Sequence, residues 1–204
     1  MPVTNGSEHR TLTQAARRQQ LIWAAVEVIA QVGLPAASFA RIAGRAGVSS
    51  TRMVSYHFTN RDELIEAVFS EVFRRAGEFI EPYVVAREGP DGQIAGLIEG
   101  NARFAAQHPT AVIASREIWA SHRRPDGSRR YGPDIHDLEL DVVGQILTGG
   151  QESGHFRQFD VRLMALTLRH ALNGLMELIA VAPDVDVDHH IDEHVVAFSR
   201  ALRK

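Results

Sequence analysis

The chain has 204 residues, 45% of them hydrophobic and 23% charged, a formal net charge of −3 and no cysteine. This is a globular composition with enough chain for a sizeable core in one or two domains. It excludes disulfides, thiol nucleophiles and cysteine metal sites, holds no apolar run near the length of a membrane span, and suits a cytoplasmic protein.

The polar opening MPVTNGSEHRT lacks the apolar stretch of a secretory leader, and residues 1–12 are read as a disordered lead-in. Leu21, Ala25, Val28, Ile29 and Val32 then share one face of a first helix, which Gly33 stops. Ser38 is placed to cap a short second helix from about Phe39 to Ala46, and Gly47 offers a left-handed residue beyond its end. AGVSSTRMVSYHF (46–58) carries a third helix from about Ser50 to Phe58, rich in hydroxyls and poor in apolar positions. Asn60 and Glu63 stand at the cap and capping-box positions of a fourth. Its apolar line Leu64, Ile65, Val68, Phe69, Val72, Phe73 runs to about Ile80, where Glu81-Pro82 breaks the pattern.

Five more helices are expected, at about 94–106, 110–119, 134–152, 161–181 and 187–202. They are separated by His108-Pro109, the basic and exposed loop HRRPDGSRRYGP (122–133), GGQESGHF (149–156) and the acidic DVDVDHH (184–190). Asp160 is placed to cap the penultimate helix. The fold class is therefore all-α, with about nine helices. The expected organisation is the lead-in 1–12, a helical head 13–60 and a helical body 61–204.

Charge is unevenly spread. From Arg10 to Arg61 seven arginines face one acid, Glu27, so this end carries +6 and leaves −9 for the rest of the chain. That asymmetry suits a head that binds a polyanion, with a solvated basic face as the plainer alternative. Arg41 and Arg52 fall in the first turns of helices two and three, where a cation opposes the helix dipole at roughly 0.3–1 kcal/mol. A phosphate at those turns would reverse the sign, since amides, hydroxyls and guanidinium would all face an anion. Two short helices joined at a glycine corner, the second rich in Ser, Thr and Arg, form a helix-turn-helix pattern. Phe39, Ile42, Ala43, Val48, Val54 and Phe58 supply its small core.

The stretch RRQQLIWAAVEVIAQVGLPAASFARIAGRAGVSSTRMVSYHFTNRDELIEAV resembles the DNA-binding domain of tetracycline-repressor-like (TetR) bacterial regulators. The elements that carry the resemblance are an arginine before helix one, its Ala-Ala, the glycine after it, Ile42-Ala43, Ala46-Gly47-Val48-Ser49, His57-Phe58, Arg61 and Leu64. It covers roughly the first 80 residues. It implies DNA contacts from Ser38 and Arg41 at the start of helix two, and from Ser49, Ser50, Thr51 and Arg52 at the start of the recognition helix. Ser55, Tyr56 and His57 lie further along that helix, and Arg61 stands where the family usually has a phosphate-contacting lysine. The chain departs from the common pattern in having no early glycine in the recognition helix, Val54-Ser55 for Leu-Tyr, and one extra residue between Gly47 and Phe58. Which of Thr51, Arg52 and Ser55 meets a base edge stays open.

The resemblance further implies a homodimer bound to an operator in double-stranded DNA, and a repressor released by a small, mostly apolar organic effector, with no cofactor. The apolar walls suggested for the effector are Phe104, Ile113, Trp119, Leu138 and Val142, and the polar anchors Arg116, His122 and Asn173; core packing is the competing reading of each apolar residue. The penultimate helix is apolar nearly all round, which requires burial on two sides. Leu168, Leu172, Leu175, Met176 and Ile179, with Val195 and Phe198 of the last helix, are assigned to a dimer interface, against the alternative of a central helix within one subunit. Asp186, Asp188, His189, His190, Glu193 and His194 have partial metal-ligand spacing but read better as an acidic loop and a solvated helix start, and no metal is expected. Neither a phosphate loop nor a nucleophile elbow is present, so enzyme chemistry has the least support.

Overall fold

The computed structural model describes residues 5–131 and 137–203, and the side chains of 13–131 and 140–203. Among these residues the chain forms the helices α1 (Asn5–Val32), α2 (Phe39–Arg45), α3 (Thr51–His57), α4 (Arg61–Val85), α5 (Gly89–Gln107), α6 (Pro109–Ser121), α7 (Asp137–Glu152), α8 (Val161–Val181) and α9 (Val187–Leu202), with one isolated antiparallel bridge between Arg123 and Arg129. No described helix is long and apolar enough to cross a membrane.

Most boundaries follow from caps. Gly33, at φ +75°, ends α1 with its amide on the Ile29 carbonyl at 2.9 Å. Asn60 accepts the Glu63 amide at 2.9 Å while Glu63 accepts the Thr59 amide at 2.7 Å, so the start of α4 is capped from both directions. Asp160 accepts the Leu163 amide and Asp186 the His189 amide at the starts of α8 and α9. Two expectations differ. The α1 backbone begins at Asn5 and so takes in most of the segment read as a disordered lead-in; residues 7–12 contain neither proline nor glycine to interrupt a helix. α4 continues through Pro82 to Val85 although Pro82 has no amide to donate to the Glu78 carbonyl, and the Ala86 amide closes on the Pro82 carbonyl at 3.1 Å.

The chain divides into two compact units, Met1–Val72 with Ala114–His122, and Phe73–Ile113 with Arg123–Lys204. The first has a core of α1 side chains (Leu21, Ile22, Ala25, Ile29) together with Ile42, Val54, Phe58, Leu64 and Val68, all at most 2% exposed. In the second, α8 packs on α5, α7 and α9. Its inward stripe is Ala165, Leu168, Leu172, Leu175 and Ile179, spaced alternately three and four residues apart. Within that unit α5 lies tightly against the end of α4: a Cβ on Gly96 would overlap the Tyr83 carbonyl.

Candidate nucleic-acid interface

The corner between α2 and α3 is set by backbone bonds. The Ala46 amide closes on Ile42, Gly47 on Gly44, and Val48 on Ala43, at 2.9–3.1 Å. Gly47 holds φ +65°, a value that costs a side-chain-bearing residue. Ser38 caps α2 by accepting the Arg41 amide at 3.3 Å, and Ser50 caps α3 by accepting the Arg52 amide at 3.1 Å. The register left open by the sequence is therefore fixed at its first residue: Thr51 opens the recognition helix.

Only Val54 of α3 is buried, and Phe58 follows it into the core; both are fully excluded from solvent. Thr51, Arg52, Met53, Ser55 and Tyr56 remain exposed, as do Ser38, Arg41, Ser49 and Ser50, while His57 is half-buried. Thr51 with Ser55, and Arg52 with Tyr56, stand four residues apart and so share faces of the helix. No acid lies in the first turn of either α2 or α3. These two turns can therefore take phosphate without displacing a carboxylate. All ten candidate DNA-contact residues, Arg61 included, belong to the first unit.

Several neighbours of this surface escaped the sequence reading. Gln14 donates to the Tyr56 hydroxyl at 3.1 Å and fixes the most exposed aromatic of α3, at 67% exposure. The Arg18 guanidinium lies 4.8 Å from the centre of the Phe58 ring, a cation–π geometry. Burial, followed by the charges of Arg18 and Arg17, holds the His57 imidazole below the ordinary histidine value. Met53, at 40% exposure, adds an apolar contact surface. The long separation between α1 and α3 hid these partners; only the cluster of arginines before helix one hinted at them. Arg45 pairs with Glu27, the sole acid of the basic end.

Arg61 has other partners than those expected of it. Its guanidinium donates to the carbonyls of Leu34 and Ala37, in the turn between α1 and α2. His122, only 4% exposed, has Nε2 3.2 Å from Oδ1 of Asp62, so this proposed effector anchor already meets a carboxylate of the first unit.

The remaining effector candidates do not fall in one unit. Arg116, Trp119 and His122 lie in the first; Phe104, Ile113, Val142 and Asn173 lie in the second. Phe104 is buried, Ile113, Trp119 and Asn173 are half-buried, and Arg116 and Val142 are exposed, which does not suit Val142 to a closed apolar wall. The Leu138 side chain falls outside the described residues. Leu168, Leu172, Leu175, Ile179 and Phe198 are at most 9% exposed within the single chain and serve its own core; Met176 and Val195 are half-buried. A run of leucines on both sides of a helix does not reveal which side faces inward. The outward apolar residues are Leu163, Leu178 and Val181 of α8 and Val196 of α9, at 39–64% exposure.

Residues 21–68 match the family described as bacterial regulatory proteins, tetR family. Residues 21–68 are thus similar to the DNA-binding segment of that family. Members are transcription regulators with a DNA-binding helix-turn-helix, and not enzymes. The chain is 34% identical over 110 residues to the HTH-type transcriptional regulator BetI of Yersinia pestis (strain Pestoides F), a match covering 53% of this chain and 55% of that one. It is 36% identical over 123 residues to the HTH-type transcriptional regulator BetI 1 of Chromohalobacter salexigens, covering 57% and 58%. The chain thus spans about half the length of the relatives it matches. The fold extends further: a TetR-like transcriptional regulator from Rhodococcus sp. RHA1 aligns over 92% of this chain and 96% of its own, with a TM-score of 0.72 at 21% identity.

Proposed function

We propose that this chain is a tetR-family dimeric repressor that binds a near-palindromic operator in the cytoplasm and leaves it when a small, mostly apolar organic ligand binds. In this reading residues 13–60 are the DNA-binding domain and 61–204 the effector-binding and dimerisation domain. One observation carries the reading: Thr51, Arg52, Ser55 and Tyr56 stand exposed on a helix capped by Ser50 and anchored beneath by Val54 and Phe58. A helix held by so few residues leaves most of its surface to another molecule. Hydroxyls and a guanidinium match base edges and phosphates of the major groove.

A two-fold dimer would set two such helices one turn of DNA apart or a multiple of it. The outward flank of α8 with Val196 of α9 supports that assembly, because it leaves apolar side chains in water. For the effector, the burial of Phe104 and the half-burial of Ile113 and Asn173 favour a site in the second unit. Release requires the ligand to bind the DNA-free state more tightly than the DNA-bound one.

The test is selection of duplexes from a random-sequence library by the purified protein, followed by competition against bulk DNA at moderate salt. Enrichment of an inverted repeat is expected. A pool that stays random, or a selected duplex displaced by bulk DNA as readily as any other, removes the regulator reading.

A further inference from the structure

Gln14 and Tyr56, 42 residues apart, join α1 to the far end of α3. Gln14 Nε2 donates to the Tyr56 hydroxyl oxygen at 3.1 Å, and both side chains are exposed. Tyr56 is the sixth of the seven residues of α3 and shares a helix face with Arg52, four residues earlier. Its ring meets that of His57 edge-on, with 5.1 Å between centres. Arg18 and Arg17 of α1 lie close enough for their charges to act on the His57 imidazole. Gln14, Tyr56, His57 and both arginines belong to the first unit. A phenol hydroxyl has one proton, and it can donate and accept at the same time. Gln14 brings an N–H to the oxygen, so the oxygen accepts there and its proton is left for another partner. That partner must be an acceptor. A phosphate oxygen is only an acceptor, and a hydrogen bond to it is charge-assisted. Accepting one hydrogen bond also polarises the hydroxyl toward donating the next.

We propose that Gln14 is a positioning residue for DNA binding: by donating to the Tyr56 hydroxyl it aims that hydroxyl's proton at a backbone phosphate. The inference rests on the DNA-binding reading above and brings α1 into it. Placement favours phosphate over a base edge. The first residues of a recognition helix reach the bases, and Tyr56 stands at the opposite end, tied back to α1. Arg17 and Arg18 beside it suit the same anion. Holding the phenol before DNA arrives also lowers the ordering cost of the contact. The polarity of the Gln14 bond is the heart of the proposal. A carboxylate at position 14 would take the hydroxyl proton and turn the oxygen lone pairs toward the phosphate.

The test is a double-mutant cycle on a duplex that wild type has selected, with Gln14→Ala and Tyr56→Phe singly and together. Each single variant should bind about fivefold more weakly, the scale of one net hydrogen bond. The double variant should bind no more weakly than Tyr56→Phe alone. Base preference should stay as in wild type. Gln14→Glu should bind more weakly than Gln14→Ala, and its loss should shrink when combined with Tyr56→Phe, where only the added charge remains. Losses that add in the cycle, or a Tyr56→Phe variant that binds like wild type, overturn the proposal. So does a preference altered at one base pair, which would assign the hydroxyl to a base edge. A Gln14→Glu loss equal in both backgrounds overturns it too, by reducing position 14 to its charge. Gln14 is exposed and alanine is a strong helix former, so the fold should hold. If Gln14→Ala melts early, the comparison of Gln14→Glu in the two backgrounds decides. Failure of wild type to select any sequence overturns the regulator reading and the role of Gln14 with it, and is told apart because it occurs with Gln14 and Tyr56 intact.

Discussion

Arg61, the first residue of α4, donates from its guanidinium to the carbonyl of Leu34 in the turn between α1 and α2. The Leu34 amide donates to the Glu117 carboxylate of α6 at 3.3 Å. The Leu34 residue is thus gripped from both sides, by a cation at its oxygen and an anion at its nitrogen. Arg61 also reaches the Ala37 carbonyl, one residue before the Ser38 cap of α2. Its first role is to hold the base of the helix-turn-helix. Arg61→Ala should lower the stability of the first unit by about 1–2 kcal/mol, the range of a charged hydrogen bond discounted for exposure. Urea unfolding followed by far-UV circular dichroism measures this. A residue that serves phosphate alone would leave the midpoint where it is.

Arg52 separates base reading from backbone positioning. It lies in the first turn of α3, capped by Ser50 and exposed. If it reads guanine, Arg52→Ala should cost about 1–3 kcal/mol on the selected duplex and flatten the preference at one base pair. If it meets phosphate, all sequences should weaken alike and the salt slope should fall by about one. Affinity unchanged in both respects would strike Arg52 from the contact surface.

Much of this was legible because local chemistry decides it. Ser38, Gly47, Asn60 and Asp160 set helix ends within a few residues, so their types alone announce the boundaries. The core of the head was legible for the same reason: Ile42, Val54 and Phe58 are the apolar positions of two short, polar helices. Long-range partners were not legible. Nothing local in RDEL says that Arg61 reaches back to residues 34 and 37, or in TLTQA that Gln14 meets Tyr56. The inward side of α8 was hidden because leucine, methionine and isoleucine cover both flanks, and only packing on α5 and α7 selects one. Pro82 misled because α4 gives up one backbone donor there and still runs on to Val85.

The register of α8 gives a paired test of assembly. Leu172 is 1% exposed and Leu178 is 39% exposed. Leu172→Glu places a charge in the chain's own core and should unfold the second unit. Leu178→Glu should leave the fold intact, by circular dichroism, and shift sedimentation from dimer to monomer. If Leu178→Glu keeps the dimer mass, the outward flank of α8 is not the interface.

His57 should make stability and DNA affinity respond to pH in opposite directions. Its imidazole is held below the ordinary value of 6.5, first by burial and then by Arg18 and Arg17 of α1. Between the folded value and 6.5 the unfolded chain binds the proton and the native head does not. Stability therefore rises with pH across that window. It is fully present above the unfolded value and is lost as pH falls through the folded one. DNA changes the balance, because phosphates brought beside His57 offset the two arginines and favour the imidazolium. Binding then takes up a proton, and affinity should fall as pH rises through the same window. His57→Gln removes the titrating group and keeps a polar side chain of similar reach. The variant should flatten both profiles, with melting temperature read against pH for the free protein and a shift assay at constant ionic strength for the complex. Wild type and variant running parallel in the melts would place the titration elsewhere. Parallel affinity profiles alone would put phosphate out of reach of His57 and restrict the contact to the start of α3.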